Sequence, residues 1–119
     1  MMPQLLLVAA GGAAGSVLRF LCQRAFNNFK FPYGTFAVNI IGCLLIGMLW
    51  ALLLKNNLSN AGRLLLMTGF CGGFTTFSAF TQESIQLLIE QRFALFLLYV
   101  TGSVAAGLLA TFAGYKLIS

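Results

Sequence analysis

The sequence predicts an all-α membrane protein with four transmembrane helices per subunit, the third of them broken in mid-membrane. Three observations carry this. Sixty per cent of the 119 residues are hydrophobic and only eight per cent are charged, whereas a soluble domain has about 25% charged residues. The apolar residues fall into four segments, each reaching the ~20 residues that cross a bilayer core. One segment is interrupted by Gly69-Phe70-Cys71-Gly72-Gly73-Phe74-Thr75-Thr76-Phe77-Ser78-Ala79-Phe80, where paired glycines and paired β-branched threonines disfavour a helix.

The segments run over about residues 4–26, 33–54, 61–90 and 93–117, a single four-helix domain joined by short connections. The first is a span and not a signal peptide, because no basic residue precedes it and it continues into Arg19 and Arg24. It carries Gly11, Gly15 and Arg19 at i, i+4 and i+8, with Gly12 and Ser16 beside them, a spacing that lets helices approach closely. Arg19 lies about two turns before the segment ends. It either snorkels to the interface or draws anions into a vestibule.

The second segment places Thr35, Asn39 and Gly42 in one stripe on an otherwise Val, Ile, Leu and Met helix. Asn39 brings two amide donors, which in a membrane need a neighbouring helix or a permeating ion. The third segment holds the interruption. There, freed backbone groups are tolerated only where protein covers them or where they line a cavity or ion site. A kinked packing helix and an ion path are both open readings of it. Glu83 follows Phe80 by three residues and is either a mouth carboxylate or an interfacial charge. The fourth segment has two rows at four-residue spacing, Gly102, Ala106, Ala110, Gly114 and Tyr99, Ser103, Gly107, Thr111. The first row reads as packing; the second is a candidate polar track.

Charge and chemistry narrow the function. The formal charge is +5, but the seven cations form no block, so nucleic acid is not an expected partner. There is no histidine, and the only acids are Glu83 and Glu90, so enzyme chemistry is disfavoured. The three cysteines read as small buried hydrophobes. With four spans, the cations balance across the membrane and set no orientation. Both orientations in one membrane, paired as an inverted dimer around an in-plane axis, are then expected.

The stretch Gly69 to Phe80, Gly34-Thr35 with Asn39 and Gly42, and Gly11-Gly12, Gly15-Ser16 with Arg19 together resemble the Fluc-type (CrcB-like) bacterial fluoride channels. The resemblance covers essentially the whole chain. It implies an antiparallel, dual-topology homodimer in the bacterial inner membrane, with two fluoride pores and a structural sodium ion on the dyad. It implies passive fluoride export and fluoride resistance. It places sodium on the backbone carbonyls of Gly72 and Thr75, and fluoride along Asn39, Phe77 and Phe80. Thr35, Ser78 and Tyr99 continue a polar track, and Arg19 and Glu83 stand at the vestibule or mouth. Ring edges carry the positive part of the aromatic quadrupole, and fluoride needs donors in place of its water without being trapped. Ala79 and Gly107 depart from the family pattern where a hydroxyl is common. The rival class, a dual-topology multidrug exporter, needs a membrane-embedded carboxylate in its first span, and none is present.

Overall fold

A computed structural model describes residues Met1–Ser119 as six α-helical pieces and one π-helical stretch. Helix α1 is Met2–Phe26 and α2 is Tyr33–Leu54. The third span is composite. It comprises α3 (Asn60–Gly62), a π-helical run over Arg63–Cys71, α4 (Gly72–Phe74) and, after a two-residue gap, α5 (Phe77–Ile89). Helix α6 is Phe93–Ile118. The four spans are long and apolar enough to cross a membrane.

The helices stop where local chemistry stops them. Ser59 caps α3 by accepting the Gly62 amide at 3.0 Å. Helix α2 ends with Asn56 in the left-handed region (φ 60°), with Asn56 and Asn57 amides returning to the Leu53 and Leu52 carbonyls. Gln91 (φ 61°) closes α5 in the same way, with Gln91 and Arg92 bonded back to Leu88 and Leu87.

Two helix pairs are closed by glycine. Between α1 and the first half of the third span, a Cβ at Gly11 would collide with the Leu65 carbonyl and one at Gly15 with the Phe70 carbonyl. A Cβ at Gly73 would lie 2.5 Å from the Gly12 oxygen. Between α2 and α6, Gly47 sits on the Thr111 carbonyl and Gly114 on that of Leu44. This is association by close backbone approach, as expected where lipid removes the hydrophobic drive. The core it leaves is small. Val38 and Tyr99 are fully buried, and Phe74 and Leu87 nearly so, while many large apolar side chains face outward, as a lipid-facing surface requires.

The interruption lies at the threonines and not at the glycines. Gly72 keeps helical angles (φ −62°, ψ −37°), whereas Thr75 (φ −89°, ψ 154°) and Thr76 (φ −146°, ψ 123°) are extended. The low helix propensity of the glycines is outweighed by the packing that Gly73 makes against α1. Neighbouring β-branched residues favour extended backbone.

Candidate functional site

Extending Thr75 and Thr76 frees backbone groups in the middle of an apolar span, and the freed amides find new partners. The Thr76 amide donates to Asn39 Oδ1 at 2.8 Å, and Asn39 Nδ2 donates to the Thr76 carbonyl at 3.1 Å. Thr75 Oγ1 donates back to the Cys71 carbonyl at 2.8 Å. The Thr76 hydroxyl accepts from Ala79 N at 3.1 Å, capping α5. Arg19 Nε donates to the Gly73 carbonyl at 3.0 Å, placing a cation at the negative end of a helical half. Arg19 is thereby tied to the first half of the third span.

These bonds leave two acceptors behind. In a continuous helix, the Gly72 carbonyl would receive the Thr76 amide and the Thr75 carbonyl that of Ala79. The first amide is held by Asn39 and the second by the Thr76 hydroxyl. Gly72 and Thr75 thus present oxygens deprived of those helical donors. Both residues line a cavity of about 430 Å3 with Asn39, Phe77, Phe80 and Ser103. The Ser103 hydroxyl, on the same wall, is buried without a partner in the subunit. A Cβ at Gly72 would meet nothing within 4 Å, and Phe77 is 77% exposed, so this face of the subunit is open.

A second polar group lies beyond Phe80. Glu83 Oε2 accepts from the Thr35 hydroxyl at 2.8 Å and from Asn27 Nδ2 at 3.1 Å, while Oε1 accepts from the Tyr99 hydroxyl at 2.9 Å. Thr35 and Tyr99 are wholly buried. Gln23 Nε2 donates to Thr35 Oγ1 at 3.0 Å, and Arg19 Nη1 donates to Gln23 Oε1 at 3.2 Å. Bonds thus run without a gap from the Gly73 carbonyl to Glu83. The carboxylate is served by neutral donors, and no cation pairs with it.

The two groups are bridged by aromatic rings. Phe77 and Phe80 have centroids 5.9 Å apart, and Phe80 and Tyr99 5.2 Å apart. Phe31 meets Tyr99 edge to face at 5.3 Å.

Of the expected site residues, Asn39, Gly72, Thr75, Phe77 and Phe80 share the cavity, and Thr35, Glu83 and Tyr99 share the second group, reached by Arg19 through Gln23. Ser78 joins neither; its exposed hydroxyl lies 3.3 Å from that of Thr76. Asn39 spends one amide hydrogen on Thr76, which makes it an interhelical clasp, with its other hydrogen unspent. Gln23 and Asn27 were not singled out from sequence, and Thr76 only as part of the interruption. The first two had a signal: they extend the Gly11, Gly15, Arg19 stripe by steps of four.

The chain is similar to known proteins along nearly its whole length. Residues 6–115 match the family described as CrcB-like protein, Camphor Resistance (CrcB). The fluoride-specific ion channel FluC of Phocaeicola vulgatus is 47% identical over 116 residues, covering 95% of this chain and 96% of the relative. That of Chlorobaculum tepidum is 49% identical over 116 residues, covering 95% and 92%. The fluoride-specific ion channel FluC 2 of Rhodococcus jostii is 46% identical over 115 residues, covering 96% and 97%. With its four spans, its threonine break and a match running nearly end to end, this chain belongs to the CrcB-like membrane protein family.

Proposed function

We propose that the protein is a fluoride-specific ion channel that lets fluoride leave a bacterial cell passively across the inner membrane and so confers fluoride resistance. The observation that carries this is end-to-end similarity, at 46–49% identity, to relatives that bear that name. The site's chemistry supports it. Fluoride holds water tightly, and a path for it must offer donors in sequence. The unspent Asn39 hydrogen, the Ser103 hydroxyl and the hydroxyls of Thr35 and Tyr99 are such donors, with the edges of Phe77 and Phe80 between them. The Glu83 charge, which would repel an anion, is offset by three donors; the same hydroxyls can turn between the carboxylate and a passing ion.

The working unit in this reading is an antiparallel homodimer with two pores, inserted in both orientations. The open face around Gly72 and Phe77 supports a second copy there, as do the balanced cations. A sodium ion fits the donor set at the break. The Gly72 and Thr75 carbonyls are oxygen ligands without net charge, deprived of their helical donors and in an open position, and a second copy would double them. The four carbonyls of two copies would hold such an ion between them and so tie the two halves of the assembly together. Asn39 and the Thr76 hydroxyl serve it by keeping the competing amides away. Ser78, exposed beside Thr76, continues the track only at its outer end.

The test is ion efflux from liposomes carrying the purified protein. Fluoride should leave down its gradient while chloride is retained. Equal release of both ions, or release of neither by well-folded protein, would overturn the assignment. Partial labelling of Asn57→Cys from each side of intact cells tests dual insertion, and labelling from one side only refutes it.

A further inference from the structure

On the other flank of α6 lies a groove of about 530 Å3 that shares no residue with the cavity at the break. Its walls are Tyr33 and Phe36 of α2 and Leu95 and Leu98 of α6, and Gly102 is its floor. Leu95, Leu98 and Gly102 follow at i, i+3 and i+7, one face of the helix.

Lys30 and Arg92 form the rim. Both sit just outside helices that begin at Tyr33 and Phe93, at the level of the membrane surface. From Arg92 to Gly102 the helix descends about 15 Å, half of the ~30 Å hydrocarbon core. The groove is therefore one leaflet deep.

The rim is built. Arg92 donates to the Phe29 carbonyl at 2.8 Å and also to the Lys30 carbonyl, and it lies over the Phe29 ring. That fixes the loop and stations Lys30 above the groove. The Lys30 ammonium itself makes no hydrogen bond or ion pair in the subunit, and no acidic residue lines the groove. The floor is unfilled. Gly114, in the same row as Gly102, is pressed against α2, but a Cβ at Gly102 would meet nothing within 4 Å. The missing side chain at 102 leaves space that the subunit does not use.

We propose that this groove is a binding site for one anionic phospholipid. Its phosphate is held at Lys30, on the loop that Arg92, itself paired with Glu90, fixes in place, and an acyl chain runs down between α2 and α6 to Gly102. A cation at the boundary above an apolar slot one leaflet deep matches a lipid in charge and in length.

The experiment is native mass spectrometry of the purified full-length protein in detergent, titrated with phosphatidylglycerol and, separately, phosphatidylcholine. Phosphatidylglycerol should bind about fivefold tighter, as one surface cation gives. Lys30→Gln should abolish that preference, and Gly102→Leu should lower occupancy by both lipids. Millimolar inorganic phosphate should not displace bound phosphatidylglycerol. Equal binding of the two lipids by the unaltered protein, a preference that survives Lys30→Gln, or undiminished occupancy in Gly102→Leu would overturn the proposal. So would displacement by phosphate, or a Gly102→Leu protein of smaller assembled mass, which would put a second copy in the groove. Lys30 is an exposed loop residue, so that variant keeps the test standing if Gly102→Leu does not accumulate.

Discussion

The two halves of the third span are held by different means. Before the break, residues 63–74 lie on α1 with backbone against backbone at Gly11, Gly15 and Gly73. After it, α5 is held largely by side chains: the Glu83 carboxylate gathers Asn27 just past α1, Thr35 of α2 and Tyr99 of α6. The first half is fixed by steric contact that has no alternative arrangement. The second is fixed by hydrogen bonds that can be exchanged one at a time. An ion path belongs on the second kind of surface, and a rigid frame on the first.

The largest effect should come from the frame. Gly15→Val drives a branched side chain into the Phe70 carbonyl and Phe74 amide, neither of which can yield. Overpacking of this kind costs about 3 kcal/mol or more. The variant should be recovered, if at all, as aggregated protein in size-exclusion chromatography. A monodisperse Gly15→Val protein with wild-type helicity would show that the two halves are not held differently.

Glu83→Ala comes next, because it strands three donors. Leaving buried donors unsatisfied costs about 1–3 kcal/mol each before relaxation. Hydrogen bonds inside membrane bundles average nearer 0.6 kcal/mol, so a total of about 2 kcal/mol is expected. Thermal unfolding in detergent should show it, with fluoride efflux falling at the same time. Tyr99→Phe removes a single bond and should lower stability by about 0.6–1.7 kcal/mol. A Tyr99→Phe protein as unstable as Glu83→Ala would mean that the network acts as one unit.

Phe80→Ile separates pore from packing. Bulk is nearly kept, so stability should change by less than about 1.5 kcal/mol, while fluoride efflux slows greatly for want of a ring edge. Assembled mass and flux must be measured together. Wild-type rates in folded Phe80→Ile and Phe77→Ile proteins would remove the aromatic role.

The smallest effect on the fold is expected at Gly72. Although it lies one residue from the tightly packed Gly73, a Cβ there meets nothing in the subunit. Gly72→Ala should leave helicity unchanged in circular dichroism, and any loss should appear only in assembly or cation dependence. Loss of helicity in the Gly72→Ala protein would show that this position is part of the frame.

Much of this was legible in the sequence, and the exceptions have physical causes. Helix limits such as Tyr33–Leu54 follow from hydropathy, and the stacked glycines of α1 announce close packing. The break was legible as a stretch but not to the residue. Glycine disfavours a helix in isolation, yet Gly73 is helical because α1 sits where its side chain would be. The π-helical run over Arg63–Cys71 had no signal, since no residue type in it calls for that spacing. The grouping of Thr35, Glu83 and Tyr99 depends on three spans converging, which spacing along one helix does not reveal. Gln23 and Asn27 continue the Gly11, Gly15, Arg19 stripe, but near a helix end they look like ordinary interfacial residues.

The clasp at Asn39 has a further consequence. A side-chain amide that both donates to and accepts from one backbone residue reproduces the two-way exchange of an antiparallel strand pair. One side chain of α2 thus acts as a one-residue sheet partner for a piece of chain that has left its helix. The mimicry admits a narrow alphabet. Aspartate keeps the acceptor but turns an anionic oxygen toward the Thr76 carbonyl, leucine keeps the shape but neither bond, and glutamine carries the amide one carbon too far. Position 39 is in effect written in the grammar of the backbone, and a sequence designed on this scaffold has little freedom to spell it otherwise.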